Sequence, residues 1–225
     1  MQSLRWHRFD SVNALCAQIV TRITTAANEA INARGAFHIV LAGGSTPQVV
    51  YEQLRDINTD WNSWFIYYGD ERCLPSGDDE RNDTMAQQSW LDHVAIPSVQ
   101  IYSMPAELGA EQGAAKYGQQ LLARQEFDLV LLGLGEDGHT ASLFPSHKID
   151  VSTAALAVHA APKPPPERIS LTASRLSAAR AVWFLVAGPQ KHEALMRWER
   201  GEDIPAAHIQ PAAGVDIFTD FNAAN

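Results

Sequence analysis

The sequence predicts an α/β domain built on a doubly wound, mostly parallel sheet with helices on both faces. Two observations carry that expectation. Short apolar runs without polar alternation recur along the chain, as strands covered on both faces require, and amphipathic stretches of helical period separate them. Strand and helix in alternation imply right-handed crossovers and a parallel sheet, which gives a Rossmann-like architecture. The chain has 225 residues and shows no Pro/Gly/Ser-rich linker, so residues 1–225 are read as a single domain.

Asp10 or Ser11 offers an N-cap, and Val12, Leu15, Cys16, Ile19, Ile23, Ala27, Ala30 and Ile31 follow at helical spacing until Gly35 provides a stop. Phe37 to Leu41 reads as a strand that ends in Ala42-Gly43-Gly44-Ser45-Thr46-Pro47. Pro47 suits the first turn of a helix continuing through Val49, Val50 and Leu54. A second strand is expected at Trp64 to Tyr68, ending in Gly69-Asp70-Glu71-Arg72, then a helix from about Asn82 to His93 and a third strand at Val99 to Tyr102. A helix from about Gly109 to Arg124 leads into the apolar run Phe127 to Leu132. Later strands are expected in the same sheet at Ala155 to His159, Arg168 to Thr172 and Ala181 to Val186. A helix from Pro189 to about Arg200 and an edge strand at Val215 to Phe218 complete the chain. The run Pro162-Lys163-Pro164-Pro165-Pro166 is read as a rigid surface connection rather than a polyproline ligand.

Composition narrows the function. Hydrophobic residues make up 46% and charged residues 19% of the chain, and the net charge is −9 with no lysine or arginine cluster. Nucleic acid and anionic membrane are therefore excluded as expected partners, and an anionic small molecule would need a locally basic pocket. Cys16 and Cys73 form no disulfide framework and no metal-type spacing, so they read as reduced thiols. The opening MQSLRWHRFDS lacks an apolar signal core, and no run reaches the roughly 18 apolar residues of a membrane span. A cytoplasmic protein, a monomer or weak homo-oligomer, is the expectation, with no metal and no cofactor.

The most informative stretch is GLGEDGHTASLFP, Gly133 to Pro145, directly after the strand at Phe127 to Leu132. Gly133, Gly135 and Gly138 satisfy GxGxxG, but Pro145 stops any helix within two turns and no acidic residue follows at the required distance, so the dinucleotide reading fails. The glycines suit a tight anion-binding loop instead. His139 at the mouth of the sheet suits a general base, against the plainer role of capping a turn. Asp137 either orients His139, binds a substrate hydroxyl or forms an Asx-turn.

Gly43, Gly44, Ser45 and Thr46 join flexible backbone to a helix N-terminus and suit a phosphate; the alternative is an ordinary turn with Ser45 or Thr46 as N-cap. Asp70, Glu71 and Arg72 gather at the equivalent point of the next strand. Arg168 and Lys191 complete a candidate cationic pocket. No GxSxG, HExxH or P-loop pattern occurs, so hydrolysis would use activated water.

Five segments in order, GGSTP at Gly43, GDER at Gly69, GLGEDGHTASLFP at Gly133, PKPPPERISLT at Pro162 and GPQK at Gly188, with IPAAHIQP near the end, resemble the glucosamine-6-phosphate isomerase/6-phosphogluconolactonase family. Within it the chain is most similar to the lactonases. In the deaminase branch a glutamate in the histidine loop transfers protons, and Phe144 stands at that position here; the acidic pair is also typically followed by tyrosine, where this chain has Arg72. The resemblance implies a glucosamine-6-phosphate deaminase-like fold and hydrolysis of 6-phospho-D-glucono-1,5-lactone to 6-phospho-D-gluconate, a step of the oxidative pentose phosphate pathway. It further implies water activated by His139, with Asp70 placing a sugar hydroxyl or assisting. Arg72 or amides near Gly135 and Gly138 would hold the oxyanion, and Ser45, Thr46, Arg168 and Lys191 the phosphate. Two competing expectations are an amino-sugar phosphate deaminase and a non-catalytic sugar-phosphate sensor.

Overall fold

The structure, a computed structural model, describes residues 2–122, 126–145 and 153–221. Its frame is a seven-stranded sheet made of β1 (Leu4–Arg8), β2 (Phe37–Leu41), β3 (Trp64–Tyr68), β5 (Ile101–Tyr102), β6 (Phe127–Leu132), β9 (Ala179–Val186) and β10 (Val215–Thr219). The strand order is β1-β10-β9-β6-β2-β3-β5, and every neighbouring pair is parallel. All five residues of β2 and of β10 are buried. That is why β2 reads as a nearly continuous apolar run rather than an alternating one, while β10 admits the buried Asp216 by pairing it with Arg5 and His7.

The chain winds outward from β2 through β3 to β5, then returns to lay β6 on the other side of β2. Right-handed crossovers running in opposite directions put helices on opposite faces and open a crevice where the direction reverses. That switch point lies between the carboxyl ends of β2 and β6, beside the end of β3.

Helix α1 (Val12–Arg34) starts and stops where the sequence signals it. Ser11 Oγ accepts the Ala14 amide at 3.2 Å, and Gly35, at φ 78°, donates its N–H to Ile31 at 2.8 Å. Its buried stripe of Leu15, Cys16, Ile19, Ile23, Ala27 and Ala30 follows the helical period, and each buried Leu or Ile contributes about 1.5–3 kcal/mol. Helix α2 (Ser45–Leu54) follows β2 after the turn Ala42-Gly43-Gly44, which the buried Tyr51 hydroxyl closes by accepting the Ala42 amide at 3.0 Å and donating to the Ala42 carbonyl at 2.8 Å.

Four sequence expectations are corrected. The segments at 155–159 and 168–172 do not join the parallel sheet. They form β7 (Ala155–Val158) and β8 (Arg168–Leu171), which make a separate antiparallel sheet, in the order β4-β8-β7, with β4 (Asp70–Arg72), expected from sequence as the end of the strand at 64–68. The strand at 215–219 is not an edge, because β1 at the N-terminus, unassigned from sequence, pairs outside it. Too short and charged to signal itself, LRWHR is fixed as a strand only by its long-range partner. The helix expected from 82 to 93 ends earlier: α3 spans Asn82–Ser89 and gives way to a 3₁₀ turn at Leu91–His93. Likewise Pro189–Lys191 forms a 3₁₀ turn before α6 (His192–Glu199).

Helix α4 (Ala110–Gln120) packs on the small sheet, and α5 (Ala173–Ser177) connects it to β9. The expected end of α4 at Arg124 lies outside the described residues. Among the described residues no helix is long and apolar enough to cross a membrane.

Tyr51→Phe removes both bonds that close the β2–α2 turn and leaves buried backbone groups unpaired. Thermal denaturation should show a loss of about 1–3 kcal/mol, and an unchanged melting temperature would show that the hydroxyl does not hold the turn.

Candidate active site

A cleft of about 320 Å³ occupies the switch point, a volume suited to a small metabolite. Its floor comes from the ends of β2 and β6, and its walls from the Gly133 loop, the proline segment and the small sheet. Four cationic side chains, Arg72, Lys163, Arg168 and Lys191, line it against one carboxylate, Asp70. A locally basic pocket thus exists inside an acidic chain.

The small sheet explains how two of those cations come together. Gly69 donates its amide to Leu41 at 3.0 Å in the large sheet and accepts from Leu171 at 2.8 Å in the small one, so the chain changes sheets at a single residue. Strand period two then sends Asp70 and Arg72 to the cleft side and Glu71 to the interior, where it is fully buried. In the antiparallel register Asp70 opposes Ser170, and Arg72 opposes Arg168. Like charges directly opposite one another repel, and both guanidinium groups line the cleft. An anion between them relieves that repulsion.

Glu71 was not selected as a site residue from sequence, yet it organises this wall. Its carboxylate accepts the amides of Arg72 at 2.8 Å, Asn82 at 2.7 Å and Asp83 at 2.8 Å, tying β4 to the first turn of α3. Burial first, and then the Asp83 charge, push its carboxyl up to about 8, against the pull of those three amides. The buried Arg81 lies 3.9 Å from it and forms a two-pronged pair with Asp83 at 2.8 and 2.7 Å.

Asn82, also missed from sequence, lines the cleft. Its amide donates to the Asp70 carbonyl at 2.8 Å and the Asp70 carboxylate at 3.3 Å. Gly43 must be glycine for this reason: a Cβ there would stand 2.0 Å from Asn82 Oδ1. Ser142 donates to the other Asp70 oxygen at 2.6 Å, so the carboxylate is held on two sides. The residue that could have signalled this network is Asn82, which stands where the helix after GDER begins.

His139 sits in the Gly133 loop with its Nδ1 2.5 Å from Asp137 Oδ1, and the same oxygen accepts the His139 amide at 3.1 Å. The Asx-turn and the orienting role weighed for Asp137 are therefore both present in one oxygen. Partial burial works against ionisation of Asp137, but the bonds from the His139 amide and ring outweigh it and hold the carboxyl below its ordinary value. An ionised Asp137 fixes the hydrogen on Nδ1, which leaves Nε2 as the basic nitrogen. The imidazole lies over Gly135, whose Cβ, if present, would be 2.0 Å from Nδ1, and packs on the buried Phe144 ring at 4.6 Å between centroids. Gly138 is braced by the IPAAHIQP segment, its carbonyl accepting the Ala206 amide at 3.2 Å.

The other expected residues divide. Gly43 and Gly44 line the cleft, whereas Ser45, Thr46 and Asp137 do not. The N-cap of α2 is Gly44, not Ser45 or Thr46, and among the described residues no side chain caps that helix end. Its positive end therefore remains available beside the cleft. The amides proposed for the oxyanion are already committed: Gly135 donates to the His139 carbonyl at 2.7 Å and Gly138 to the Gly135 carbonyl at 3.0 Å. Arg72 instead keeps a buried Nε without a partner among the described residues.

The proline run is more than a surface connection, since Lys163 and Pro164 line the cleft. Arg168 fixes the run by donating to the carbonyls of Lys163 at 3.0 Å, Pro164 at 3.2 Å and Pro165 at 3.1 Å. Burial lowers the Arg168 guanidinium from its ordinary value, with Asp70 opposing and Arg72 adding to the effect. Lys191 is lowered chiefly by burial too, Glu136 countering and Lys163 reinforcing the shift.

Fold and cleft together define an α/β protein with a cationic small-molecule site at the switch point of a parallel sheet. The family model for glucosamine-6-phosphate isomerases/6-phosphogluconolactonase matches residues 10–218. The chain is 40% identical over 223 residues to the 6-phosphogluconolactonase of Streptomyces coelicolor, spanning 89% of this chain and 82% of that protein. It is 39% identical over 217 residues to the 6-phosphogluconolactonase of Mycobacterium leprae, spanning 88% and 86%. The crystal structure of 6-phosphogluconolactonase from Thermotoga maritima superposes with a TM-score of 0.91 at 26% identity, covering 96% of this chain and 99% of that one. The chain belongs to the glucosamine-6-phosphate isomerase/6-phosphogluconolactonase family.

Gly135→Ala drives a methyl into the imidazole and breaks its bond to Asp137. Turnover should fall about tenfold or more, while the melting temperature changes by only a few degrees, because the loop is displaced locally. Wild-type turnover in that variant would show that the imidazole position is not critical.

Proposed function

We propose that the cleft hydrolyses 6-phospho-D-glucono-1,5-lactone to 6-phospho-D-gluconate, the lactonase step of the oxidative pentose phosphate pathway, by general-base activation of water without a metal ion or covalent intermediate. The observation that carries the reading is a His139 whose Nδ1 is engaged by an ionised Asp137, placed in a cleft with four cations and one carboxylate. The names of the relatives support the same substrate.

His139 Nε2 takes a proton as the water oxygen bonds to the lactone carbonyl carbon. The carbonyl electron pair moves onto oxygen, where the Arg72 guanidinium meets the developing negative charge. As that intermediate collapses, the bond from carbon 1 to the ring oxygen breaks. The imidazolium returns its proton to that oxygen, which becomes the carbon-5 hydroxyl, and the new carboxylic acid ionises in water. A lactone needs no stronger nucleophile than this, since it is an activated ester.

The phosphate binds at the other end of the substrate, to Arg168, Lys191 and the uncapped end of α2 at Gly43 and Gly44. Binding energy from that remote dianion orients the reacting carbonyl. Asp70, held by Ser142 and Asn82, accepts a hydrogen bond from a ring hydroxyl. Phe144 sets this cleft apart from a deaminase: an apolar ring packs on His139 where an amino-sugar isomerisation would need a proton carrier.

Addition of the protein to freshly made phosphogluconolactone should accelerate acid release beyond spontaneous opening, equally in the presence of a chelator. No acceleration would refute the reading, and ammonia released from glucosamine 6-phosphate would replace it with the deaminase. In His139→Ala, kcat should drop roughly a hundredfold or more with KM little changed. Asp137→Asn, which disturbs the tautomer but not the shape, should cost about tenfold or more in kcat.

A further inference from the structure

Among the described residues Lys191 is the one cleft cation whose head group has no hydrogen-bond or ion-pair partner; Arg72 donates to the Glu80 carbonyl, Arg168 to the proline segment, and Lys163 faces Glu136. An ammonium on a flexible four-carbon stem is then placed by the backbone that carries it. That backbone is the 3₁₀ turn Pro189–Lys191, closed by the Lys191 amide donating to the Gly188 carbonyl at 3.1 Å. Pro189 and Gln190 in it are exposed, so core packing does not hold it.

The residues that follow β10 do. Both carboxylate oxygens of Asp220 accept the Gly188 amide, at 3.0 and 3.2 Å, on the entry side of the turn. Because Pro189 has no N–H, that amide is the last donor before the turn begins. On the exit side the Phe221 ring lies against the His192 ring, with 3.9 Å between centroids. Both contacts are referred to the large sheet through the fully buried Thr219, whose hydroxyl accepts the Phe221 amide at 3.0 Å and whose carbonyl accepts the Phe9 amide at 2.9 Å. Lys191 is therefore bracketed, one contact before it and one directly after.

We propose that Asp220 and Phe221 are positioning residues, a clamp that sets Lys191 for the phosphate of the substrate. The inference rests on the reading that the cleft takes a phosphorylated lactone. Neither residue lines the cleft, so both act through the turn. A turn held in place before the ligand arrives spares the ordering cost that a loose one would impose on binding. The effect falls on binding rather than on the chemical step, because His139 and Arg72 stand on other elements, the Gly133 loop and β4.

The test measures melting temperature, steady-state kinetics with the phosphorylated lactone, and inorganic phosphate binding by titration calorimetry. The proteins are wild type, Asp220→Ala, Asp220→Asn, Phe221→Ala, Lys191→Met and the double variant of Asp220→Ala with Lys191→Met. Lys191→Met should raise KM about tenfold, the size of one charge-assisted contact. Asp220→Ala should raise KM about fivefold with kcat within about twofold, and should weaken phosphate binding in parallel. Asp220→Asn keeps an oxygen acceptor and should restore KM to within about twofold of wild type. In the Lys191→Met background Asp220→Ala should add less than about 1.5-fold, because the clamp has lost its object. A merely structural role would lower the melting temperature and leave both KM and phosphate affinity as they are, which overturns the proposal. A loss from Asp220→Ala that persists undiminished in the double variant overturns it too. Should Asp220→Ala not fold, Phe221→Ala decides: KM raised about threefold supports the clamp, and KM unchanged sinks it. If wild type does not turn over the lactone, the proposed function falls, and the phosphate titrations on the same variants judge the clamp separately; a wild type that also fails to bind phosphate overturns both.

Discussion

Gly69 makes one main-chain hydrogen bond into each of two sheets. Its amide keeps β3 aligned with Leu41 at the end of β2, and its carbonyl receives Leu171 of the small antiparallel sheet. Everything on the substrate-facing wall follows from that change of sheet. Had the chain continued along the parallel direction, Asp70 and Arg72 would have run on past the crevice instead of across it. Turned into antiparallel pairing, they stand opposite Ser170 and Arg168, and the alternation of side chains along β4 sends Glu71 inward to hold the start of α3. A backbone hinge of this kind is independent of side-chain chemistry, so it fixes where the charges stand while leaving open what they are.

The electrostatic design has a cost that the fold absorbs elsewhere. Opposed guanidinium groups at Arg72 and Arg168 and a buried carboxyl at Glu71 each disfavour the empty state. Carbonyl acceptors, backbone amides and the pair between Arg81 and Asp83 compensate for them. The result is a cleft whose positive charge is organised before any ligand arrives, so reorganisation does not have to accompany binding. The histidine follows the same logic. Its orientation is imposed from three sides, by Asp137 at the ring nitrogen, by Gly135 beneath and by Phe144 alongside.

Much of this was legible in the sequence, for physical reasons that differ between residues. The strands Phe37–Leu41 and Phe127–Leu132 announce themselves because burial on both faces demands apolar runs, each here broken by a single polar residue, and Ser11 and Gly35 announce the ends of α1 because helix termini need those side chains or that backbone freedom. His139, Arg72 and Arg168 stand out because they fall at strand ends and bends, and Lys191 because it falls in the first turn of a late helix. Illegible were the features set by partners distant in sequence. The strand LRWHR is specified by Val215–Thr219 across the whole chain, and the small sheet by the pairing of residues 70–72 with 168–171. Asn82 and Glu71 look like ordinary polar residues until a third segment meets them. The amides of Gly135 and Gly138 looked available because sequence does not show that the loop already uses them internally.

The clasp of Arg168 on three successive carbonyls gives one residue two inseparable duties, and this bears on how the protein tolerates change. A lysine could carry the charge, but its single ammonium lacks the planar fork that grips neighbouring carbonyls. A rearranged proline segment could keep a wall, but it would strand the guanidinium without acceptors. Neither can drift alone without loss of the other, so this arginine and the prolines before it form a unit of inheritance. Substitutions there are to be read as changes of shape and of charge at once.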